Sequence, residues 1–135
     1  MITIRCIDSE TGKMAVVPQG CTSLLTFSLR DYDRLKTVGQ SQIDTATMTL
    51  IDHDSGGIIG EQEDIDVKNC FDSNGTFKKI VSANYNNIIS SSERITEELH
   101  IAKITVSATG EDGAIVETRE FHFMVGNQIH VPNMT

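Results

Sequence analysis

The chain of 135 residues contains no tryptophan, and aromatic side chains make up only 5% of it. Modules that bind carbohydrates usually present exposed aromatic faces on which sugar rings stack, so this composition disfavours a carbohydrate-binding module. The phenylalanines are better explained as core residues, because burial of their large apolar rings stabilises a fold. The predicted core members are Phe27, Phe77, Phe121 and Phe123.

Positive charge is scarce as well. Lys and Arg number 11 against 19 Asp and Glu, which gives a formal net charge of −8, and the densest cationic pair is Lys78 and Lys79. Contacts with nucleic-acid phosphates or an anionic membrane surface need clustered cations. The composition therefore predicts that the partner is neither a nucleic acid nor a membrane. It favours an acidic surface that complements a basic patch on another protein.

Long apolar runs are also missing. No segment approaches the roughly 18 consecutive apolar residues that cross a bilayer. Residues 1–8 lack the basic start and apolar run of a signal peptide, so we expect a protein made in a cytoplasm. The chain has no repeat and no linker rich in Pro, Gly and Ser, and its length suffices for one domain with its own core.

The three cysteines are Cys6, Cys21 and Cys70, and they show neither CxxC spacing nor a neighbouring histidine pair. A structural zinc site is therefore not expected. The cysteines are interpreted as reduced thiols, and one disulfide with a thiol left over stays open.

Alternation of apolar and polar residues is strongest between Glu98 and Val125. Side chains of a strand alternate between two faces, so this pattern predicts a long β-hairpin, turning at 109–113, with one buried and one solvated face. The residues expected on the buried face are Ala102, Ile104, Val106, Ala108, Phe121, Phe123 and Val125.

Shorter strands are predicted upstream, with turn signals between them. They cover 2–7, 14–17, 25–29, 46–50, 65–67 and 76–81, and the strongest turn is 52–57. Segment 84–92 fits either a strand or a loop that crosses between sheets. This spacing predicts an all-β fold, an immunoglobulin-like antiparallel β-sandwich of seven to nine strands. The missing tryptophan excludes the Cys…Trp…Cys frame of antibody domains.

The chain divides into three parts in this interpretation. Residues 23–126 form the sandwich. Residues 1–22 form an N-terminal strand or arm, either part of the sandwich or a contact between subunits. Residues 127–135 form a C-terminal tail, which either frays or lies on a neighbouring subunit as an arm.

An acidic cluster suggests calcium, since oxygen ligands suit that ion. Its members are Asp52 and Asp54, with Asp31 and Asp33 nearby. The run Asp-x-Asp-Ser-Gly-Gly is also typical of a tight turn, because Asp hydrogen-bonds nearby backbone and Gly accepts positive φ. The turn interpretation is favoured, and no EF-hand loop is present.

Two histidines invite a catalytic hypothesis. His100 follows Glu97 and Glu98, and His122 lies on the return strand, where cross-strand pairing would bring an imidazole and a carboxylate together. No GxSxG elbow supplies a nucleophile, so structural or surface histidines are expected, with pH sensitivity at an interface as their remaining interest. The sequence therefore predicts no catalytic residue, no cofactor, no metal ligand and no enzymatic activity.

Several strings resemble small immunoglobulin-like proteins of tailed bacteriophage virions. They are the E-x-H-x-A strand at 98–106, the turn glycine Gly113, the closing strand at 119–125, and the Asp-rich segments at 27–33 and 47–54. The last two resemble an F-x-L-x-D-x-D … L-x-D opening that many phage virion sandwiches share, N-terminal baseplate modules among them. The resemblance covers roughly residues 23–126.

This resemblance implies a virion component. The first expectation is a capsid decoration or cement protein that bridges neighbouring capsid subunits, with the major capsid protein or another virion protein as partner. Homo-oligomerisation as a dimer or trimer fits closed symmetry. A head–tail connector, tail or baseplate component is the alternative, and a glycan- or calcium-binding sandwich is the alternative from another class.

Overall fold

The computed structural model describes residues 1–5, 14–28, 30–31, 36–37, 40–89, 97–110 and 113–126, and the statements below refer to them. The strands are β1 (Ile2–Arg5), β2 (Ala15–Pro18), β3 (Ser23–Ser28), β4 (Arg30–Asp31), β5 (Lys36–Thr37), β6 (Ile43–Asp52), β7 (Ile65–Asp66), β8 (Thr76–Val81), β9 (Glu97–Gly110) and β10 (Gly113–Gly126). Short 3-10 helices span Gln40–Gln42, Lys68–Cys70 and Ala83–Tyr85. Within those ranges we find no helix with the length and hydropathy required to span a bilayer.

Eight of these strands form two packed sheets, which confirms the predicted all-β sandwich. One sheet has the order β1-β3-β8 and the other has the order β2-β10-β9-β6-β7, while β4 and β5 form a separate ribbon. The pairing of β3 with β8, and the row β10-β9-β6-β7, match strands B–E and G–F–C–C′ of the immunoglobulin arrangement.

The sheets are mixed, whereas a purely antiparallel sandwich was predicted. Strand β1 runs parallel to β3, and β2 runs parallel to β10. A tight hairpin would force antiparallel neighbours, but β1 and β3 are separated in the chain by β2, which lies in the other sheet. Of the first 22 residues, 2–5 and 15–18 therefore belong to the sandwich. The proposed arm at 127–135 lies outside the described residues.

Strands β9 and β10 form the predicted hairpin, paired without interruption from Gly110 opposite Gly113 to Glu97 opposite Gly126. All seven residues expected on its inner face are buried. On the outer face the side chains of Lys103, Glu120 and Val116 are exposed, as expected for a half-buried sheet.

Four phenylalanine rings join the two sheets. Phe77 on β8 lies 5.1 Å from Phe27 on β3, 5.0 Å from Phe71 and 6.4 Å from Phe121 on β10, measured between ring centroids. Contacts of this kind add to the free energy of burial that each ring contributes. The cluster therefore fixes how the hairpin packs on the smaller sheet.

Of segment 84–92, residues 84–89 form no strand and belong to the crossing loop, and residues 90–92 lie outside the described residues. The buried Asn86 donates from Nδ2 to the backbone oxygen of Cys21 at 2.8 Å and to Ser23 Oγ at 3.0 Å. These bonds attach the loop to the start of β3 as the chain passes from one sheet to the other.

The cysteines form no disulfide among the described residues, where Cys21 and Cys70 are both half-buried. Burial raises the pKa of the Cys70 thiol, and the nearby Lys79 and Asp66 shift it in opposite directions. A raised pKa keeps the thiol protonated and weakly nucleophilic. Cys6 lies outside the described residues.

Phe77→Ala is expected to lower the free energy of unfolding by about 3–5 kcal/mol, because it removes the ring at the centre of the aromatic cluster. Val116→Ala, on the exposed face of β10, is the control and should change it by less than about 0.5 kcal/mol. Chemical denaturation monitored by circular dichroism measures both. Equal losses would show that the cluster does not hold the sheets together.

Asp72 controls the turn into β8. Its carboxylate accepts backbone hydrogen bonds from Thr76 at 3.0 Å and Asn74 at 2.8 Å, and these bonds lower the pKa of the carboxyl below its ordinary value of 3.8. A depressed pKa in the folded state stabilises the protein above the unfolded-state pKa, and this stabilisation disappears as the pH falls through the folded-state pKa.

Asp72→Asn is therefore expected to lower the melting temperature at pH 7, and the gap from the unmodified protein should close as the pH falls below about 4. Thermal melts between neutral pH and pH 2 test this. A gap that stays constant across the range would exclude the charge of Asp72 as its cause.

Candidate functional site

The outer face of the five-stranded sheet has a polar end and an apolar end. At the polar end Thr105 lies between Thr47 and Thr118, and Lys103 pairs with Glu120 across the hairpin. These positions are ordinary for a solvated sheet face. The two ends of this face therefore differ in polarity.

At the apolar end, six residues from five adjacent chain segments form a continuous surface, here called the apolar stripe. Met124 lies opposite both Val16 and Leu99, and Ile51 lies opposite both Ile101 and Ile58. Val16 is 48% exposed and Ile58 is 40% exposed, and the other members are half-buried. The stripe consists of Val16, Ile51, Ile58, Leu99, Ile101 and Met124.

The stripe exists because apolar and polar residues no longer alternate in the sequence at this end of the sheet. Leu50 and Ile51 are consecutive apolar residues, so they occupy both faces of β6, and Phe123 and Met124 do the same on β10. The inner member of each pair fills the core and the outer member remains at the surface. The outer apolar residues are not needed to close the core, and contiguous exposed apolar surface of this kind marks interaction sites.

Beneath the stripe, on the inner face, lies a buried polar cluster. Asp52, Glu98 and His100 are only 5%, 3% and 1% exposed. Asp52 at the end of β6 lies directly opposite His100 on β9, and Glu98 precedes His100 by two residues on the same face. One ligand atom from each residue lies within 4.8 Å of those of the other two.

Short hydrogen bonds organise this cluster. The His100 Nε2 and Glu98 Oε1 atoms are 2.7 Å apart, and Glu98 Oε1 also accepts from the Ile89 backbone N–H at 2.7 Å. Asp52 Oδ2 accepts from Ser55 Oγ at 2.8 Å. The rings of His100 and Phe123 lie in an edge-to-face arrangement, with ring centroids 5.9 Å apart. Two buried atoms, Asp52 Oδ1 and His100 Nδ1, have no hydrogen-bond partner among the described residues.

The structure places the predicted histidines differently from the cross-strand pairing proposed above. His100 pairs with Glu98 along its own strand inside the sandwich, while Glu97 is exposed. His122 pairs with Glu120 at 2.8 Å on the outer face. Side chains of a strand alternate between the two faces of the sheet. The two histidines occupy positions of opposite alternation and therefore face opposite sides of the sheet.

Of the acidic residues proposed for calcium, the two whose side chains are described, Asp52 and Asp54, do not converge. Asp52 points inward, whereas Asp54 is exposed and contacts His53 at 3.4 Å. The segment forms the predicted turn, in which the Asp52 backbone N–H donates to the Gly57 oxygen at 2.9 Å. Nothing is described for the side chain of Asp31 or for Asp33.

Sequence reasoning missed both the stripe and the cluster. Consecutive apolar residues at 50–51 and 123–125 were an available signal for the stripe. The cluster had no such signal, because Asp52 and His100 become neighbours only when β6 pairs with β9.

Comparison with known proteins shows only distant structural likeness. No family model and no curated protein match the chain. The solved structures include a similar chain, the N-terminal domain of phage TP901-1 ORF48, with a TM-score of 0.43 and 13% identity over 93% of this chain and 96% of that chain. At this identity the chain is assigned to no family.

Glu98→Ala is expected to lower the free energy of unfolding by about 3–5 kcal/mol, because it leaves the Ile89 N–H and the buried imidazole without their acceptor. Glu120→Ala removes the equivalent partner of His122 on the outer face, and should change it by less than about 0.5 kcal/mol. Urea titrations compare the two. Similar losses would contradict the internal role of the Glu98–His100 pair.

Proposed function

We propose that this protein is a non-enzymatic structural protein of a tailed-phage virion that docks onto another virion protein through the apolar stripe. The stripe is the observation that carries this proposal. The resemblance of segments 98–106 and 119–125 to phage virion sandwiches supports it independently.

The chemistry of the stripe indicates the kind of partner. Burial of apolar side chains such as Val16 and Ile58 against a partner removes their surface from water at about 25 cal/mol per Å². The exposed acidic residue Glu97 lies beyond Leu99 at one end of the stripe, and the whole chain carries a net charge of −8. The partner surface is therefore apolar at its centre and basic at its rim.

The positions of the ionisable groups favour a binding function over a catalytic one. The one described cluster that combines carboxylates with an imidazole is inside the sandwich, where a substrate does not reach it. The groups on the surface are separate pairs, His53 with Asp54 and His122 with Glu120.

Within the virion, we assign the protein to the capsid surface as a decoration or cement protein, with the major capsid protein as its partner. This position requires a stable sandwich with an adhesive face, and a dimer or trimer would repeat the same contact around a symmetry axis. A place at the head–tail junction, tail or baseplate is the alternative, and it uses the same docking surface.

Val16→Asp is expected to weaken binding to virions that lack this protein by at least about tenfold, because a charge buried within an interface must be desolvated. Val116→Asp is the matched control, with the same change on the same sheet face but outside the stripe. Co-sedimentation with particles measures binding, and circular dichroism verifies the fold. Equal binding by both variants would rule out the stripe as the docking surface.

Gold labelling of the bound protein on intact particles distinguishes the positions. Label over the whole shell is expected for a decoration protein, and label at one vertex or along the tail would move the assignment to the alternative. Light scattering of the purified protein tests the dimer or trimer, and a monomer at virion-like concentrations would overturn that assignment.

A further inference from the structure

We infer that Asp52, Glu98 and His100 form an internal binding site for a divalent transition-metal ion of the Zn²⁺ type. Two carboxylates and one imidazole are a donor set that such an ion accepts. Their ligand atoms already lie within 4.8 Å of one another. Bonds of about 2.1 Å in tetrahedral geometry hold ligand atoms about 3.4 Å apart, so modest side-chain rotations complete the site.

The unpartnered atoms of the cluster point to a missing ligand. Asp52 Oδ1 and His100 Nδ1 are buried and have no hydrogen-bond partner among the described residues. Buried polar atoms are nearly always satisfied, because an unsatisfied group loses its hydration without compensation. A cation between the two strands gives Asp52 Oδ1 a partner that no described side chain supplies.

The hydrogen bonding of His100 suits a cation as well. Its Nε2 atom lies 2.7 Å from Glu98 Oε1. The tautomer that donates Nε2–H to Glu98 leaves a lone pair on Nδ1, the buried ring nitrogen without a hydrogen-bond partner. The neutral imidazole would therefore coordinate the ion through Nδ1, while the hydrogen bond at Nε2 orients the ring.

The ligand set selects the class of metal. Calcium takes six to eight oxygen ligands, whereas this cluster offers three side chains, one of them a nitrogen donor. Zinc accepts three protein ligands and a fourth from water. The candidate cation is therefore a borderline-soft transition metal, and Zn²⁺ and Co²⁺ are the appropriate probes.

The position of the site gives it a structural consequence. Asp52 adjoins Ile51, and Leu99 lies between Glu98 and His100, so each ligand is next to a residue of the apolar stripe on the opposite face. A metal that ties β6 to β9 at this point also fixes the backbone that carries the stripe.

The experiment uses the full chain without an affinity tag, refolded in the presence of chelator and then titrated with Zn²⁺. We expect one Zn²⁺ per chain by elemental analysis and a higher melting temperature in the loaded protein. Asp52→Asn and His100→Gln should each lower the affinity more than about 100-fold, since loss of a ligand exceeds the loss of an outer-shell contact.

The double variant Glu120→Gln, His122→Gln is the matched control. It removes the same residue types, two positions apart, from the exposed face of the neighbouring strand, and should bind Zn²⁺ like the unmodified protein. Co²⁺ provides a readout that does not depend on folded variants. In the unmodified protein it should produce visible ligand-field absorption, and hyperfine shifts should affect the His100 ring protons in NMR spectra.

Three outcomes would overturn the site. The first is no stoichiometric Zn²⁺ in the unmodified protein. The second is Zn²⁺ affinity that survives Asp52→Asn in a folded variant. The third is Co²⁺ shifts confined to His53 or His122, which would place the metal at the surface.

Discussion

The packing of β10 against the smaller sheet is the interaction on which the rest of the structure depends. The ring of Phe121 lies 5.6 Å from Phe27 and 6.4 Å from Phe77, and Phe123 is buried beside it. Once these side chains point inward, the two-residue period of the strands decides the direction of every neighbour. The same constraint places Met124 at the surface and, through β9, turns His100 into the interior.

One strand thereby serves two surfaces of the sheet. Along β9, Glu98 and His100 alternate with Leu99 and Ile101. The polar side chains of this segment therefore lie in the core, and its apolar side chains lie on the outer face. This inversion of the usual pattern is costly on both sides, since buried carboxylates need partners and exposed apolar residues contact water. A docking partner outside and a cation inside would each remove part of that cost.

Three of the four edges of the two sheets are protected against pairing with another strand. Natural sheets protect their edges from pairing with short strands, lysines or proline. Strand β8, at one edge of the smaller sheet, carries Lys78 and Lys79. At the edges of the larger sheet, β7 has two residues and β2 ends at Pro18. Association through backbone hydrogen bonds is thereby discouraged at these three edges.

The sequence by itself determined the all-β class, the turn at 52–57, the hairpin and the burial of Phe121 and Phe123, because these features follow from local alternation and turn chemistry. It did not determine that the first two strands run parallel to their neighbours, or that Asp52 meets His100. Strand direction and cross-strand contacts depend on which distant segments pair, and local periodicity carries no record of the partner. Only the tertiary structure therefore decided which polar residues meet inside the sandwich and which apolar residues are left outside.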